Sequence, residues 1–328
     1  MEELIKMGQI TNEKITEIFK MEFGAEVLSV ERITDGYSHY MYAVEMDKEP
    51  LKSIIRFSNN IKEDVNLGKE KFVIDVLAGK GIPVPKIYAF HFPEKKEEGY
   101  MIMEFIEGER LDKIWVDLSK EEKIKITSKI GLFLKKLHCI EFDKFGNINE
   151  GGKINQDIDF KFRKEGEVSE VNVFARQFLV EHLKEFARLL SHKKISSEFA
   201  SKVINYLVLN MDKIEYNGKP KFVHTDFTID HLFVKKIKED YEIVGLIDFE
   251  FAKAYAPEYD FIKLHRRGFF EDVELKKALV DSYGEINEKA VEIFRLMRDL
   301  SFAYVLLDSG SNEMADKVLK GVEEKLDL

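Results

Sequence analysis

The residues best suited to chemistry lie between positions 222 and 250, where two acids flank two short apolar runs. The runs, Leu232 to Val234 and Ile243 to Ile247, enclose a charged stretch, which is the pattern of a tight hairpin with largely buried strands. Asp226 lies just before the first run, and Asp248 closes the second. Because a hairpin brings its outer ends together, we expect the two carboxylates to lie close in space. Carboxylates placed in this way suggest phosphoryl transfer.

The spacing of these residues matches a motif pair of the protein kinases. Protein kinases use H-R-D-x-x-x-x-N followed by D-F-G, in which the first Asp orients the acceptor hydroxyl while the Asn and the second Asp hold magnesium. Residues 224–226, His-Thr-Asp, match H-x-D, and residues 248–250, Asp-Phe-Glu, stand where D-F-G would. His231 occupies the place of the Asn. Apart from that position, the order of base, metal ligand, hairpin and metal ligand is intact.

With these relaxed positions the stretch resembles the aminoglycoside phosphotransferase and choline kinase superfamily. Its H-x-D-F-x-x-x-H-L variant is most similar to the aminoglycoside 2″-phosphotransferases, where a His also stands in the second metal-ligand place. The resemblance implies a protein-kinase-like fold, ATP or GTP as co-substrate and Mg²⁺ with Mn²⁺ tolerated. It also implies catalytic Asp226, metal ligands His231 and Asp248, and structural support of the catalytic loop by His224 and Asp260.

Length and composition limit the class of protein. The chain has 328 residues, 45% hydrophobic and 34% charged, which suits a globular protein of two lobes. Its net charge of −10 disfavours nucleic acid and anionic membranes as partners and is compatible with a cationic small substrate. The single cysteine, Cys139, excludes an intrachain disulfide, and its place after an amphipathic helix favours a small core residue.

Neither a membrane span nor a signal peptide is expected. No apolar run approaches the ~20 residues that a membrane helix needs. The N-terminus lacks the basic region and apolar core of a signal peptide. We therefore expect a cytoplasmic protein, and a monomer whose partners are nucleotide and small-molecule substrate.

Residues 1–106 have the pattern of a kinase N-lobe, and residues 107–328 that of a C-lobe. Hydrophobic periodicity predicts five strands and two helices in the N-lobe. The strands are expected at 27–33, 40–46, 51–57, 86–90 and 100–106, and the helices at 11–23 and 61–80. The fold class is therefore α+β, with a small N-lobe built on a five-stranded antiparallel sheet plus helix and a larger, mostly helical C-lobe.

The resemblance places the nucleotide phosphates on the N-lobe. Ser38, in the turn between the first two strands, matches the phosphate-facing hydroxyl of the family. Arg56 stands on the third strand in the place of the kinase lysine, and its forked cation can grip phosphate oxygens. Glu70 matches the acid that pairs with that cation, with Glu63 and Asp75 as weaker alternatives.

The purine is expected at the hinge that follows the fifth strand. Backbone groups around Glu104 to Ile106 would read its edge, and Met103 would lie near the inner wall of the pocket. Because methionine is flexible, it closes a pocket less firmly than a tyrosine would. We expect ATP to be used at least as well as GTP.

The C-lobe reads as a series of helices. Ser119-x-x-Glu122 is a capping box that opens the first of them, and His138 ends that helix as a structural cap. Five more helices are predicted at 172–191, 197–211, 272–282, 287–307 and 313–326. Between them lies a Glu-Tyr-Asp-Phe segment, 258–261, that matches a family segment supporting the catalytic loop.

The acceptor is expected to be a cationic, polyhydroxylated molecule, with an aminoglycoside as the leading case and antibiotic resistance as its consequence. The motif variant is the main support, and five acids could meet ammonium groups. They are Asp230, Glu250, Glu258, Glu271 and Asp272. Arg266 and Arg267 oppose this expectation, because they would repel a cation if they faced the cleft.

Two alternatives stay open. Within enzymes, the substrate could be choline, a methylated sugar, homoserine or another metabolite. Outside enzymes, the chain could be a degenerate kinase fold that serves as a binding module, a view favoured by Arg56 and His231.

Overall fold

A computed structural model describes residues 10–34, 40–57, 67–91, 99–155, 173–191 and 195–326. The fold is α+β, as predicted, with a five-stranded antiparallel sheet and a largely helical C-terminal part. Its described residues form two compact units. The first unit falls within Met1–Ile126, Ile148–Lys153 and Ile229–Phe251, and the second within Thr127–Asn147, Ile154–Thr228 and Ala252–Leu328. The lobe boundary at residue 106 stays a prediction.

The first unit is built on the five-stranded sheet, which has the order β1-β2-β3-β5-β4 with every neighbouring pair antiparallel. Each strand lies within two residues of its predicted ends. The strands are β1 (Val27–Ile33), β2 (Tyr40–Met46), β3 (Lys52–Phe57), β4 (Ile87–His91) and β5 (Tyr100–Glu104).

Two helices accompany this sheet: α1 (Asn12–Phe23) precedes β1 in the sequence, and α2 (Leu67–Gly79) lies between β3 and β4. Helix α1 begins after Thr11, whose hydroxyl accepts the Lys14 N–H, and ends at Gly24 in the left-handed conformation. Its apolar face shares one core with the sheet, and burying it removes a continuous apolar stripe from water. That core includes Ile15, Ile18, Phe19, Val44, Ile55, Phe57 and Ile102.

The predicted hairpin is present in the first unit as β10 (Leu232–Ile237) and β11 (Asp240–Leu246). The strands pair from Leu232 opposite Leu246 to Ile237 opposite Asp240, with a bulge near the start of β10. The short strand β6 (Glu109–Arg110), followed by helix α3 (Leu111–Ile114), adds to the other edge of β10. The pairing brings the residues just before β10 next to those just after β11.

The second unit is mainly helical. Helix α4 (Lys120–Leu137), whose residues fall in both units, begins with the predicted capping box, because Ser119 and Glu122 exchange bonds at 3.0 and 3.2 Å. The following helices match the five predicted ones to within two residues at each end. They are α5 (Val173–Ser191), α6 (Ser197–Leu209), α8 (Val273–Tyr283), α9 (Glu288–Asp308) and α10 (Asn312–Leu326).

The second unit also contains short elements that the sequence pattern did not predict, because runs of two or three residues carry no readable periodicity. A four-stranded sheet has the order β8-β7-β12-β9, and helix α7 (Ile262–Arg266) follows a 3-10 turn, Pro257–Phe261. The strands are β7 (Gly146–Ile148), β8 (Ile154–Asn155), β9 (Lys221–Val223) and β12 (Lys253–Tyr255). Aromatic side chains dominate the core, with Phe174 and Phe178 packed on Phe294.

The structure also bears on two expectations drawn from the sequence composition, one about membrane-spanning helices and one about Cys139. Among the described residues, every helix falls short of the length and apolarity that crossing a bilayer demands. Cys139 is exposed, so its prediction as a small core residue was wrong. The residue follows the end of α4 in a turn, where the buried stripe of the helix no longer applies.

Candidate active site

A buried ion cluster centres on Arg56 in the first unit. Its Nη1 lies 2.5 Å from Glu70 Oε2, and its Nη2 lies 3.1 Å from Glu250 Oε2. The structure therefore brings Arg56 and Glu70 together as the sequence predicted. Glu250, expected to face a cationic substrate, is only 4% exposed and lies on Arg56 instead. A carboxylate buried to this degree requires a counter-charge, and Arg56 provides it.

This cluster lies on the wall of a cavity of about 290 Å³ within the first unit. Apolar side chains, among them those from β1, β2, β3 and α2, line much of the cavity, a surface suited to a flat ring. Nine of the predicted site residues line the same cavity: Arg56, Glu70, Met103, Glu104, Ile106, Asp230, His231, Asp248 and Glu250. Ser38 lies outside the described residues.

The hinge residues already bond within the protein. The Glu104 N–H donates to the Lys86 carbonyl at 2.8 Å, and the Gly108 N–H donates to the Ile106 carbonyl at 3.0 Å. Met103 is buried on β5 and lines the cavity. A purine bound at this segment would therefore find the N–H groups of Glu104 and Gly108 already engaged in hydrogen bonds within the protein.

His231 and Asp248 face each other at the open end of the hairpin. His231 Nε2 lies 3.3 Å from Asp248 Oδ2, and the Ile247 N–H donates to the His231 carbonyl at 3.1 Å. Asp248 has φ +72°, a left-handed conformation that Asp tolerates better than most residues. Because both side chains reach the cavity that holds Arg56, an imidazole nitrogen and a carboxylate oxygen fit a divalent cation shared with phosphate oxygens.

Asp230 and Arg110 lie on the same cavity wall. Arg110 donates two hydrogen bonds to Asp112, at 2.9 and 2.8 Å. Burial alone would raise the pKa of Asp112, but the hydrogen bonds and charge of Arg110 and the charge of Lys113 leave it lowered.

The loop 224–228 of the second unit, which the sequence predicts to be the catalytic loop, is held by Asp260, a residue only 1% exposed. Its carboxylate accepts the backbone N–H of His224 at 2.9 Å and of Thr225 at 2.7 Å. Thr225 has φ +66°, a strained conformation for a β-branched residue, so the loop needs such an anchor. The Asp226 N–H in turn donates to His224 Nδ1 at 3.3 Å. The two residues predicted to support the loop, His224 and Asp260, thus both accept hydrogen bonds from its backbone.

A second layer beneath the loop was not predicted. His138, expected as a helix cap, places Nε2 3.1 Å from Asp260 Oδ2 and Nδ1 2.9 Å from the Tyr283 hydroxyl. Burial, followed by the charges of Glu258 and Asp260, raises the pKa of Tyr283. Because the carboxylate of Asp260 only accepts hydrogen bonds, Nε2–H is the donor to it, and in the neutral imidazole Nδ1 then accepts from the Tyr283 hydroxyl.

Cations surround Asp226 itself. Lys263 Nζ lies 2.5 Å from Asp226 Oδ1, and Arg298 Nη2 lies 4.0 Å from the same oxygen. Arg267 Nε donates to the Thr228 hydroxyl at 3.1 Å, within the same loop. Sequence reasoning missed Lys263 and Arg298, because they stand on α7 and α9 without any motif around them. The predicted approach of Asp226 to Asp248 stays a prediction.

Three further acids predicted to meet a cationic substrate, Glu258, Glu271 and Asp272, belong to the second unit. Burial raises the pKa of Glu258. Glu271 is exposed, 3.9 Å from His265 Nδ1. Asp272 is the N-cap of α8, where it accepts the N–H groups of Glu274 and Leu275 at 3.0 and 3.1 Å. Its carboxylate thus has a structural task in addition to any role toward substrate.

Comparison with known proteins adds to this geometry. The model of the Phosphotransferase enzyme family matches residues 29–294. The fold is similar to the GDP complex of an aminoglycoside 2′-phosphotransferase IIIa variant, with TM-score 0.69, 15% identity and 96% and 97% of the two chains covered. It is also similar to the GDP and kanamycin complex of APH(2″)-IIia, with TM-score 0.66, 16% identity and coverage of 95% and 97%.

Two further likenesses are more distant. Spectinomycin phosphotransferase in complex with ADP and spectinomycin has TM-score 0.56 and 15% identity over 97% of this chain and 95% of that one. The Altered inheritance of mitochondria protein 9 of Meyerozyma guilliermondii is 27% identical over 154 residues, which are 44% of this chain. The matched segment spans 25% of the length of that curated relative.

Proposed function

Because the chain belongs to the Phosphotransferase enzyme family, we propose that it transfers the γ-phosphoryl group of ATP or GTP to a hydroxyl group of a small molecule. One observation carries this proposal: Arg56, braced by Glu70, shares a cavity with His231 and Asp248. A forked cation for phosphate oxygens and a pair of metal-binding side chains are the groups that a nucleoside triphosphate requires.

Each group then has a role in the reaction. Arg56 grips the nucleotide phosphates, and His231 with Asp248 holds Mg²⁺. When bound, the metal neutralises charge on the phosphate oxygens. Asp226 orients the acceptor hydroxyl and takes its proton, while Asp260 keeps the loop in the strained conformation that presents Asp226. Positioning and charge neutralisation supply most of the rate in this reaction class.

An aminoglycoside-like cation is one candidate acceptor. The H-x-D-F-x-x-x-H variant supports it, as does the likeness to proteins whose complexes hold kanamycin or spectinomycin. Two of the five acids expected to meet ammonium groups are engaged elsewhere, however, Glu250 on Arg56 and Asp272 at a helix terminus. Choline, a methylated sugar and homoserine remain alternatives.

Asp226→Asn tests the proposed chemistry. We predict that turnover falls at least ~10²-fold, as the loss of a general base usually costs. Nucleotide affinity should stay within a few fold, because the nucleotide contacts lie in the first unit. Nucleotide consumption and nucleotide binding are measured on the same preparations, across aminoglycosides and common metabolites.

The matched control is Asp281→Asn, an exposed acid of α8 that pairs with Lys277. This variant should behave as the wild type. Near-normal turnover of Asp226→Asn would remove Asp226 from catalysis. Tight nucleotide binding without turnover of any kind in the wild type would favour the degenerate binding module instead.

A further inference from the structure

The chain departs from the protein-kinase pattern at two positions that the structure places in contact. Arg56 stands in the place of the lysine on the third strand, and Glu250 stands in the place of the glycine of D-F-G. The two residues are 194 positions apart in the sequence, yet Arg56 Nη2 donates to Glu250 Oε2 at 3.1 Å. A glycine would offer no side chain for this bond. The two departures therefore meet in one contact of the first unit.

Carboxylates hold Arg56 at both terminal nitrogens of its guanidinium group. Nη1 lies 2.5 Å from Glu70 Oε2, while Nη2 is bonded to Glu250. The side chains of Arg56, Glu70 and Glu250 are only 6%, 4% and 6% exposed. Because the guanidinium is planar and rigid, two such contacts fix its orientation as well as its position.

The third nitrogen of Arg56 remains available to a ligand. Nε is buried and has no hydrogen-bond partner within the part of the chain that the structure describes. A buried donor without an acceptor is costly, so it calls for a group that completes it. Arg56 lines the cavity that we assign to the nucleotide, where a phosphate oxygen would be such an acceptor.

A lysine beside the same two acids would not serve phosphate equally well. The lysine ammonium group has a single nitrogen, and two neighbouring carboxylates would both draw on it. The guanidinium has three nitrogens, so two can bind carboxylates while the third meets an oxyanion. A site with Glu250 therefore requires Arg at position 56, whereas a site with glycine there can use lysine.

We propose that Glu250 is a positioning residue of the nucleotide site, which together with Glu70 orients Arg56 so that its Nε–H binds a phosphate oxygen. This proposal rests on the proposed phosphoryl transfer and deepens it. The pair of Arg56 and Glu250 is then a matched exchange for the lysine and glycine of the protein kinases. Arg56 accordingly supports nucleotide binding and no longer favours a degenerate binding module.

A double-mutant cycle of Arg56→Lys and Glu250→Gly tests the matched exchange. Dissociation constants of ADP and GDP with Mg²⁺ are measured by titration calorimetry, and those of adenosine and guanosine by competition. Arg56→Lys should weaken binding of the nucleoside diphosphates about 10-fold or more, and Glu250→Gly about 5-fold. The double variant should bind them more tightly than Arg56→Lys alone, because its ammonium group is shared with one carboxylate fewer. The nucleosides, which lack phosphate, should keep their affinity within about 2-fold.

Glu250→Gln tests the charge of Glu250 without changing Arg56 or the shape of the side chain. Its amide can still accept a hydrogen bond but no longer pairs with a cation by charge. Binding of the nucleoside diphosphates should weaken about 3-fold or more, again with little change for the nucleosides. This variant decides the question should an Arg56 variant fail to fold, which circular dichroism and thermal unfolding reveal.

The matched control is the ion pair of Lys71 and Asp75 on the exposed side of α2. Lys71 Nζ lies 2.6 Å from Asp75 Oδ2, so Asp75, a weaker candidate for the partner of Arg56 in the sequence, pairs with Lys71. Lys71→Arg, Asp75→Asn and their combination make similar changes of charge and side-chain type on the helix that carries Glu70. All three should bind nucleotide as the wild type does.

The outcomes separate this proposal from the proposed function. Independent effects of the two changes, so that Glu250→Gly weakens binding by the same factor with or without Arg56→Lys, overturn the positioning role. Equal losses for nucleosides and nucleoside diphosphates overturn it as well, because they indicate a collapsed pocket. Unchanged affinity of Glu250→Gln has the same consequence. Failure of the wild type to bind any magnesium nucleotide contradicts the proposed function itself.

Discussion

At the scale of single residues, His231 is the clearest departure from the kinase motif, which has Asn at this position. Kinases put an amide oxygen where this chain has an imidazole nitrogen, and the structure sets that nitrogen 3.3 Å from Asp248 Oδ2. Magnesium prefers oxygen ligands, whereas imidazole suits softer ions. A site with this donor set should accept Mn²⁺ as well as Mg²⁺.

Substitutions of His231 test its role as a ligand. His231→Asn should retain substantial activity with Mg²⁺, because an amide oxygen replaces the nitrogen. His231→Leu should abolish activity, because no donor remains. Steady-state turnover with Mg²⁺ and with Mn²⁺ measures both effects, and comparable activity of the two variants would remove His231 from the metal site.

Arg56 should matter to stability as well as to nucleotide binding. Arg56→Met leaves the buried carboxylates of Glu70 and Glu250 without their cation, a change that costs about 3–5 kcal/mol in such sites. Denaturant or thermal unfolding measures this loss. The control on the same strand is Lys52→Met, a partly exposed cation paired with Glu45, for which we expect about 1 kcal/mol or less. Equal losses would contradict the buried cluster.

Contacts between residues of one motif pair could be predicted from the sequence, and contacts that depend on packing could not. The H-x-D and D-F-x spacing led to His231 and Asp248. Lys263 and Arg298 have no such signal, because their meeting at Asp226 depends on the packing of two helices distant in sequence. The contact between Glu250 and Arg56 was missed for the same reason, because the motif position of Glu250 does not show that Arg56 lies beside it.

At the scale of elements, the 3-10 turn Pro257–Phe261 supports the loop 224–228, which we propose to be catalytic. Asp260 in this turn joins two backbone N–H groups of the loop to His138 and, through it, to Tyr283. The strained φ of Thr225 shows that the loop does not hold its shape unaided.

Asp260→Ala should therefore lower both stability and activity. The substitution leaves buried donors without an acceptor, each of which costs about 1–3 kcal/mol. Because these bonds form one network, we expect a total loss of about 3–5 kcal/mol rather than their sum. Unfolding and turnover are measured together, with Asp281→Ala as the exposed control. A variant that loses stability but keeps full turnover would contradict the support of the loop.

We expect the hinge after β5 to decide the choice of nucleotide. Met103 lines the cavity, and its flexible side chain should admit either purine. We predict that ATP is used at least as well as GTP, with kcat/KM for both donors as the measurement. A strong preference for GTP would mean that Met103 does not gate the pocket.

Element boundaries could be predicted where hydrophobic periodicity is long. The five strands, the hairpin and the long helices all followed from apolar spacing, because each buries one face or one stripe. The short strands β7, β8, β9 and β12 could not be predicted, since two or three residues give no period. The elements beside Asp226 are either short, as α7 is, or distant from it in the sequence, as α9 is.

At the scale of the whole molecule, the net charge and the local charge point in different directions. The chain is acidic overall, which supported the prediction of a cationic substrate, whereas Lys263 and Arg298 lie beside Asp226. Close charges decide recognition, because salt screens interactions beyond about 10 Å. The expectations of a cytoplasmic monomer with lobes at 1–106 and 107–328 remain predictions.

The central claim is that the protein moves a phosphoryl group from a nucleotide to an alcohol. ATP or GTP labelled with ¹⁸O in the non-bridging γ-oxygens tests it directly, with products resolved by mass spectrometry across aminoglycosides and common metabolites. We predict labelled phosphomonoester on at least one hydroxyl compound with the wild type, and its loss with Asp226→Asn. Label found only in inorganic phosphate, at equal rates in both proteins, would contradict the account.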